Sequence, residues 1–326
     1  MKTSAVAQPE MKRELGLLDS TMIVAGSMIG SGIFLVSSDI AKSVGSPFYI
    51  LLIWLITGVI TLIAALSYGE LAGMMPKAGG QYVYLREAYN PMVGFLFGWT
   101  VFTVIQTGVI AAVAVAFAKY SAVFFPELNE VLFNTSFLTI SWAQVLAIGS
   151  IVLLTYSNAQ GVQNGKFIQF IFTFAKLFAL GALIVLGLYI GLKTNVFSHN
   201  FSDAWKATRT VIANDGAKIF QIPLTGWALV GALGATIINS LFSADAWNNV
   251  TFIAGEIKDP KKNIPKSLFL GTLIVTVIYV LANLAYLALL PINGSLDGQN
   301  PVDQGMLFAS NDRVGASAAY VIFGDA

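Results

Sequence analysis

The chain has 326 residues, of which 56% are hydrophobic and 11% charged, with a formal net charge of +1 at pH 7 and no cysteine. Soluble globular domains carry about 25% charged residues, so the composition excludes that class, and the near-neutral charge gives no electrostatic case for nucleic acid. Without cysteine, disulfides, thiolate metal sites and cysteine nucleophiles are excluded, and a disulfide-linked partner subunit with them.

A bilayer-crossing helix takes about 20 mainly apolar residues. Seven runs reach that length, at 17–38, 47–74, 92–124, 140–157, 167–192, 226–255 and 267–291, and an eighth begins near Val314 and stops at Ala326. The runs are continuous, without the period-two alternation of a membrane barrel, so the expected class is an all-α integral membrane bundle. Lys12 and Arg13 precede a full-length first run with no small-residue cleavage site, so that run is expected to stay attached as a span. Residues 1–16 are a polar tail.

With the tail taken as cytoplasmic, Lys2, Lys12, Arg13, Lys77, Arg86, Lys166, Lys258, Lys261, Lys262 and Lys266 fall inside, against Lys42, Lys119, Lys193, Lys206, Arg209, Lys218 and Arg313 outside. The inside excess, and above all the cluster Lys258 to Lys266 beside a span end, predicts this orientation.

Within the first run, Gly26-Ser-Met-Ile-Gly30-Ser-Gly32-Ile-Phe34 places three glycines in seven residues. Each costs about 0.8–1 kcal/mol in a helix interior relative to alanine, and a membrane helix breaks only where its freed backbone groups find protein, water or ligand. A half-helix restarting near Ser31 and Gly32 offers unpaired N–H groups and partial positive charge, an anion seat. Gly30 and Gly32 let backbone approach closely there, and the Ser27 and Ser31 hydroxyls add donors. The competing reading is a small-residue packing face, Gly26-xxx-Gly30. A phosphate loop is excluded, because the Gly-Lys-Ser/Thr ending is missing.

Further along, Glu70 lies near the inner end of the second run, six residues before Pro76. The segment from Gly79 to Glu87 reads as a short amphipathic interfacial helix whose tyrosines suit that depth. In the third run, Ile105 and Val109 are positional candidates for a side-chain pocket. Lys176 lies ten residues beyond Lys166, or ~15 Å along a helix, near the centre of a core about 30 Å thick. Snorkelling to water is hard from that depth. The single histidine, His199, falls in the loop 193–225, which excludes a histidine proton relay within the membrane.

The sixth run is interrupted by Phe242-Ser-Ala-Asp245-Ala-Trp-Asn248. A helix ending here is expected to leave the carbonyls of Leu241, Phe242 and Ser243 unpaired at a depth without water, where an ammonium group would supply donors. An ionised aspartate at the middle of a membrane helix costs about 2.5–3.5 kcal/mol. Asp245 is therefore read as a countercharge to a substrate amine, a partner for a cationic side chain, a proton carrier, or a carboxylate in a watery vestibule. Two broken spans five apart are the pattern of inverted-repeat carriers. Carboxylate at one break and ammonium at the other define an α-amino acid. The basic segment after this run, Asp259-Pro-Lys-Lys262, suits anionic lipid or a solvated loop.

These stretches resemble the amino acid–polyamine–organocation superfamily, most closely its L-type amino acid transporters and their bacterial relatives. The resemblance rests on Gly26 to Phe34, Tyr68-Gly-Glu70-Leu, Gly79-Gly-Gln-Tyr82, Phe172-Thr-Phe-Ala-Lys176-Leu, and Trp247-Asn248 through Glu256-Ile-Lys-Asp-Pro260, in order along the chain. It implies a LeuT-type fold of two inverted five-helix repeats with spans one and six broken. The first repeat is then 17–192, the extracellular loop 193–225, and 226–326 an incomplete second repeat. The chain is accordingly expected to be a piece of a longer carrier.

The same resemblance implies that Ser27, Met28, Ile29, Ser31 and Gly32 line the carboxylate seat. It makes Phe242 an aromatic gate, with Ser243 beside it and Asn248 a polar support on the second half-helix. Lys176 stands in for the sodium ion that joins the first and fifth helices in sodium-driven relatives, and Glu70 belongs to an inner-gate network, with a plain interfacial carboxylate the competing reading. The family usually has glycine where this chain has Ala246, a change expected to stiffen the bend and narrow the pocket towards small or branched neutral substrates.

The function expected is secondary active transport of neutral L-amino acids by alternating access, as exchanger or proton-linked symporter, without sodium, cofactor, metal or enzymatic chemistry. The partners expected are the substrate and the lipid bilayer, and the location a bacterial inner membrane. The competing readings are a carrier of cationic amino acids or polyamines, a nontransporting sensor or assembly partner, and a structural bundle.

Overall fold

The computed structural model describes residues 13–135, 139–159, 162–212 and 219–324. Lys2, Lys12 and Lys218 of the charge count lie outside the described residues. The chain is mostly helical, and among the described residues six helices are long and apolar enough to cross a membrane, or seven when the bent pair Leu17–Met28 and Gly32–Val44 counts as one span. The others are Pro47–Met74, Pro91–Ala122, Trp142–Ala159, Ile171–Gly191, Gly226–Ser243 and Pro260–Leu289. A short apolar helix, Val314–Phe323, follows. The connections add two small antiparallel hairpins, Val131–Asn134 with Thr139–Ser141 and Thr208–Ile212 with Ile219–Pro223, which the apolar pattern did not announce.

Two compact units divide the chain: residues 1–80 with 175–326, and residues 81–174. The smaller contains the short helix Gln81–Ala88, the third and fourth spans and the start of the fifth helix. Its third span passes through a π-helical turn, Val101–Ile105. Within this unit the third and fourth spans meet through Ala114, Ala118 and Ala147, small side chains that let membrane helices approach closely.

The larger unit is built on the second and seventh spans. Gly58 faces Thr276, and Gly69 faces Pro265, whose Cα lies 3.1 Å from where a Gly69 Cβ would stand. Gly271 accepts Val24 of the first span in the same way. Trp54 and Tyr279 meet edge to face, with ring centroids 5.2 Å apart. Lipid supplies little hydrophobic drive between helices, so such close packing and interhelical hydrogen bonds hold the unit together.

Polar ties fix its ends. The seventh span closes on Asn200, whose amide donates to the Leu287 and Leu290 carbonyls at 2.8 and 2.9 Å and accepts from the Ile292 amide at 3.0 Å. The half-helix Gly32–Val44 stops at Gly45, which takes φ +49° to return its N–H to Ala41, as a left-handed helix cap requires. Lys42 and Ser38 on that half-helix bind Asp312, just before the last helix. At the opposite end of the first span, Glu14 and Leu15 donate their amides to the Glu256 carbonyl, and the Lys258 amide donates to Leu15.

Candidate functional site

The first span breaks as its glycines dictate. Helix ends at Met28, Ile29 is extended at φ −75°, ψ 96°, and helix resumes at Gly32 after a bend of 45°. The last carbonyls of the first half-helix lose their intrahelical partners, and two side chains from elsewhere take them over. Lys176 Nζ donates to Gly26 O at 3.0 Å and Ile29 O at 2.8 Å, and Tyr279 Oη bonds Met28 O at 3.0 Å. Lys176 thus occupies the turn of the break with its charge spread over main-chain oxygens.

On the other side, the opening N–H groups of Gly32–Val44 have no carbonyl four residues back to bond, and of these the Phe34 N–H turns to Ser31 O at 3.1 Å. Ser31 stands at the N-cap without bonding the helix through its side chain. Among the described residues the Ser27 and Ser31 hydroxyls make no hydrogen bond, while Gly30 is exposed with open space where a Cβ would be. Met28 and Ile29 are buried at 3% and 1% exposure, so they can offer this place main chain rather than side chain.

The sixth span ends at Ser243. Its terminal carbonyls are not free, contrary to expectation: Ala244 N–H bonds Leu241 O at 3.1 Å, Asp245 N–H reaches Phe242 O at 3.4 Å, and Tyr279 Oη bonds Ser243 O at 3.1 Å. The backbone tightens into a final turn and borrows the phenol. Nor does α-helix resume. Ala246 adopts φ +67°, and two 3₁₀ turns follow, Trp247–Thr251 and Ala254–Glu256. The run Asn248-Asn-Val-Thr251 is of weak helix formers, and Thr251 Oγ1 bonds back to the Asn248 carbonyl. Asn248 therefore sits on a 3₁₀ turn, not on a second half-helix.

Asp245 is likewise corrected from mid-helix to the turn after the helix, where it is exposed and has no side-chain partner among the described residues. It shares a cavity of about 350 Å³ with Ile60, Thr61, Ala64, Phe242 and Trp247. Phe242 is 67% exposed, and Trp247 is steadied edge-on by Tyr68 at 5.0 Å. No residue of the first break lines this cavity. Glu70 is exposed, with no hydrogen bond or ion pair among the described residues. Ile105, in the π turn, and Val109 lie in the smaller unit, exposed at 48% and 37%.

What brings the two breaks together is Gly32 against Ser243. A Cβ on Gly32 would lie 2.7 Å from Ser243 Cβ and 3.1 Å from its Cα. Tyr279, fully buried on the seventh span, reaches both breaks at once. Beside it, Asn283 accepts from Ser37 at 2.7 Å, and Thr57 and Ser240 hydroxyls meet at 2.6 Å. Sequence reading missed this polar seam. Its signal was present: Thr272, Thr276, Tyr279, Asn283 and Tyr286 recur at spacings of four and three in an apolar run, one face of a helix, and polar residues within a membrane turn inward.

Comparison with known proteins identifies the family. A family model described as amino acid permease matches residues 15–324. The chain is similar to the mouse large neutral amino acids transporter small subunit 2, 32% identical over 276 residues covering 85% of this chain and 48% of that protein. It is similar also to the mouse b(0,+)-type amino acid transporter 1, 29% identical over 313 residues covering 96% of this chain and 58% of that protein. The chain spans about half the length of the curated relatives it matches. On the family model's extent and the broken first span together, the chain belongs to the amino acid permease family.

Proposed function

We propose that the chain is the substrate-holding part of a secondary carrier that moves neutral L-amino acids by alternating access, through exchange or proton linkage. The observation that carries this is the meeting of the two breaks at Gly32 and Ser243. It sets a helix N-terminus, suited to a carboxylate, beside the end of the sixth span, whose last carbonyls, though each already accepts one hydrogen bond, keep a second lone pair for an ammonium. Ser27, Gly30, Ser31 and Gly32 then serve the carboxylate. Lys176 holds Gly26 and Ile29 where a bound cation would otherwise be needed, which supports transport without sodium. The names of the similar proteins, which are amino acid transporters, support the substrate class, and no enzymatic chemistry enters this reading.

In this reading the tail before Leu17 is cytoplasmic and the protein is a multi-pass component of the cell membrane, a bacterial inner membrane in the expectation from its motifs. Residues 17–192 form a first five-helix repeat, 193–225 an extracellular loop and 226–326 the opening of a second. Phe242 closes over the substrate, Asn248 supports it, and Glu70 serves the inner gate. A second reading, a carrier of cationic substrates, is favoured by one observation: the Asp245 carboxylate, without a side-chain partner among the described residues, in a cavity walled by Phe242 and Trp247.

Binding of radiolabelled L-amino acids to the purified protein, with and without sodium, tests the proposal, with Gly32→Leu as control. Saturable binding that needs no sodium and disappears in the variant is the expected result. A folded protein that binds no amino acid would overturn it.

A further inference from the structure

The seventh span begins with positive charge where its own dipole is already positive. Its helix, Pro260–Leu289, carries Lys261, Lys262 and Lys266 in its first two turns and no carboxylate along its length. A helix N-terminus bears about half a positive charge, which cations there oppose, and Asp259 at the N-cap makes no side-chain hydrogen bond to the helix. The second and seventh spans run antiparallel, with Gly58 against Thr276, Gly69 against Pro265 and Gly73 against the Lys261 carbonyl. Lys77, three residues past the end of the second span, therefore comes to the same end as Lys258. All five lysines are exposed, and among the described residues none forms an ion pair. Glu14, Glu70, Glu256 and Asp259 share this end without pairing with them.

Below the lysines runs an exposed apolar face. Lys262 and Lys266 stand four residues apart, and Leu270, Leu273, Ile274, Val277 and Leu281 continue the same side of the helix at spacings of three and four, each between 37% and 49% exposed. Ile264, Leu268, Gly271 and Val275 occupy the opposite side and are buried. The apolar run begins at Ser267, so Lys266 marks the hydrocarbon edge and Lys262 lies ~6 Å further out. The head-group layer of one leaflet is about 5–8 Å deep, and both ammonium groups fall within it. Charge that served only to orient the chain needs neither this depth nor an apolar face beneath it.

We propose that this face holds an anionic glycerophospholipid, its phosphate diester between Lys262 and Lys266 and an acyl chain along Leu270 to Leu281. An ammonium offers three donors and no acceptor, which suits phosphate oxygens. Net negative charge is what the site selects, because a zwitterionic lipid brings a cation of its own to an end that already holds unpaired ones. The orientation proposed above makes this the cytoplasmic leaflet, and the lipid site itself stands apart from the amino acid reading.

Binding of a chain-labelled fluorescent phosphatidylglycerol to the purified protein in neutral-detergent micelles tests this, beside phosphatidylcholine carrying the same label. A lysine at a charged membrane surface is worth about fivefold in affinity. Lys262→Gln with Lys266→Gln is therefore expected to weaken phosphatidylglycerol binding about 30-fold and to leave phosphatidylcholine binding unchanged. Lys262→Arg with Lys266→Arg is expected to keep the affinity. So is Lys193→Gln with Lys206→Gln, a pair of exposed lysines at the far end of the seventh span, where Gly191 meets Ala288. Equal affinity of the unaltered protein for the two lipids overturns the proposal, and so does an unchanged affinity in the Lys262 and Lys266 glutamine variant. An equal loss in the Lys193 and Lys206 variant marks a diffuse charge effect and overturns it as well. Displacement of the labelled lipid by inorganic phosphate makes the site one for a soluble anion, which also overturns it. If the double glutamine variant does not fold, Lys262→Gln and Lys266→Gln taken singly, each expected to lose about fivefold, decide the matter. None of these readouts depends on amino acid binding.

Discussion

Gly32, at the head of the second half-helix, lies directly against Ser243, at the tail of the sixth span, with no room for a side chain between them. Two glycines separated by one residue thus differ in kind. Gly30 is exposed, has open space at its Cβ position and does not hold a positive φ. Gly32→Ala must push the breaks apart, an overpacking that costs about 1–3 kcal/mol, and is expected to abolish amino acid binding. Gly30→Ala is expected to leave the folded protein's thermal stability unchanged. Thermal unfolding and ligand binding of the two variants side by side check this, and equal effects would refute the contact.

The first break was legible because glycine carries its conformational cost openly in the sequence. The sixth span was half legible. Phe242 to Asn248 marked the interruption, but a single alanine at φ +67° has no sequence signature, and apolar residues run on past Ser243, so a resumed helix was expected where 3₁₀ turns stand. The seventh helix begins at Pro260, seven residues before its apolar run. Lys261, Lys262 and Lys266 read as loop, yet they ride the exposed face of a helical turn whose other face buries Ile264. Tyr279 stayed hidden because its role depends on two distant chain ends meeting, which no local pattern records.

Among the described residues Lys176 is the one cation at the first break, and its two hydrogen bonds to Gly26 and Ile29 carbonyls replace bonds the helix lost. Hydrogen bonds from a charged donor contribute about 1.5–3 kcal/mol. Lys176→Met keeps the stem and removes the donors. It is expected to reduce amino acid binding by more than about tenfold and to lower the unfolding temperature. Binding isotherms and a melting curve of the variant check both, and wild-type affinity would show that the lysine is dispensable to the site.

Ala246 holds a backbone conformation that suits glycine. A left-handed residue with a Cβ costs roughly 1–2 kcal/mol, and glycine returns about 0.5–1 kcal/mol of that through its larger loss of entropy on folding. Ala246→Gly is therefore expected to stabilise the protein by a net ~0.5–1 kcal/mol and to loosen the turn before Trp247. A raised unfolding temperature is the check. If the proposed narrowing of the pocket holds, the same variant also binds larger neutral amino acids more tightly relative to alanine.

Asp245 stands outside the helix, exposed, and without a partner among the described residues. A carboxylate that forms no native bond contributes little to stability, and surface changes of this kind stay within about 0.5 kcal/mol. Asp245→Asn is thus expected to fold normally, which makes it a clean probe of charge. The ring faces of aromatic side chains attract cations, and Phe242 and Trp247 wall the same cavity, so the carboxylate's one electrostatic role there is towards a positive group. Competition of arginine or a diamine against labelled leucine is expected to weaken in Asp245→Asn while leucine affinity itself is unchanged. Weakened leucine binding with unaltered competition would instead place Asp245 at the α-ammonium and remove the case for a cationic side chain.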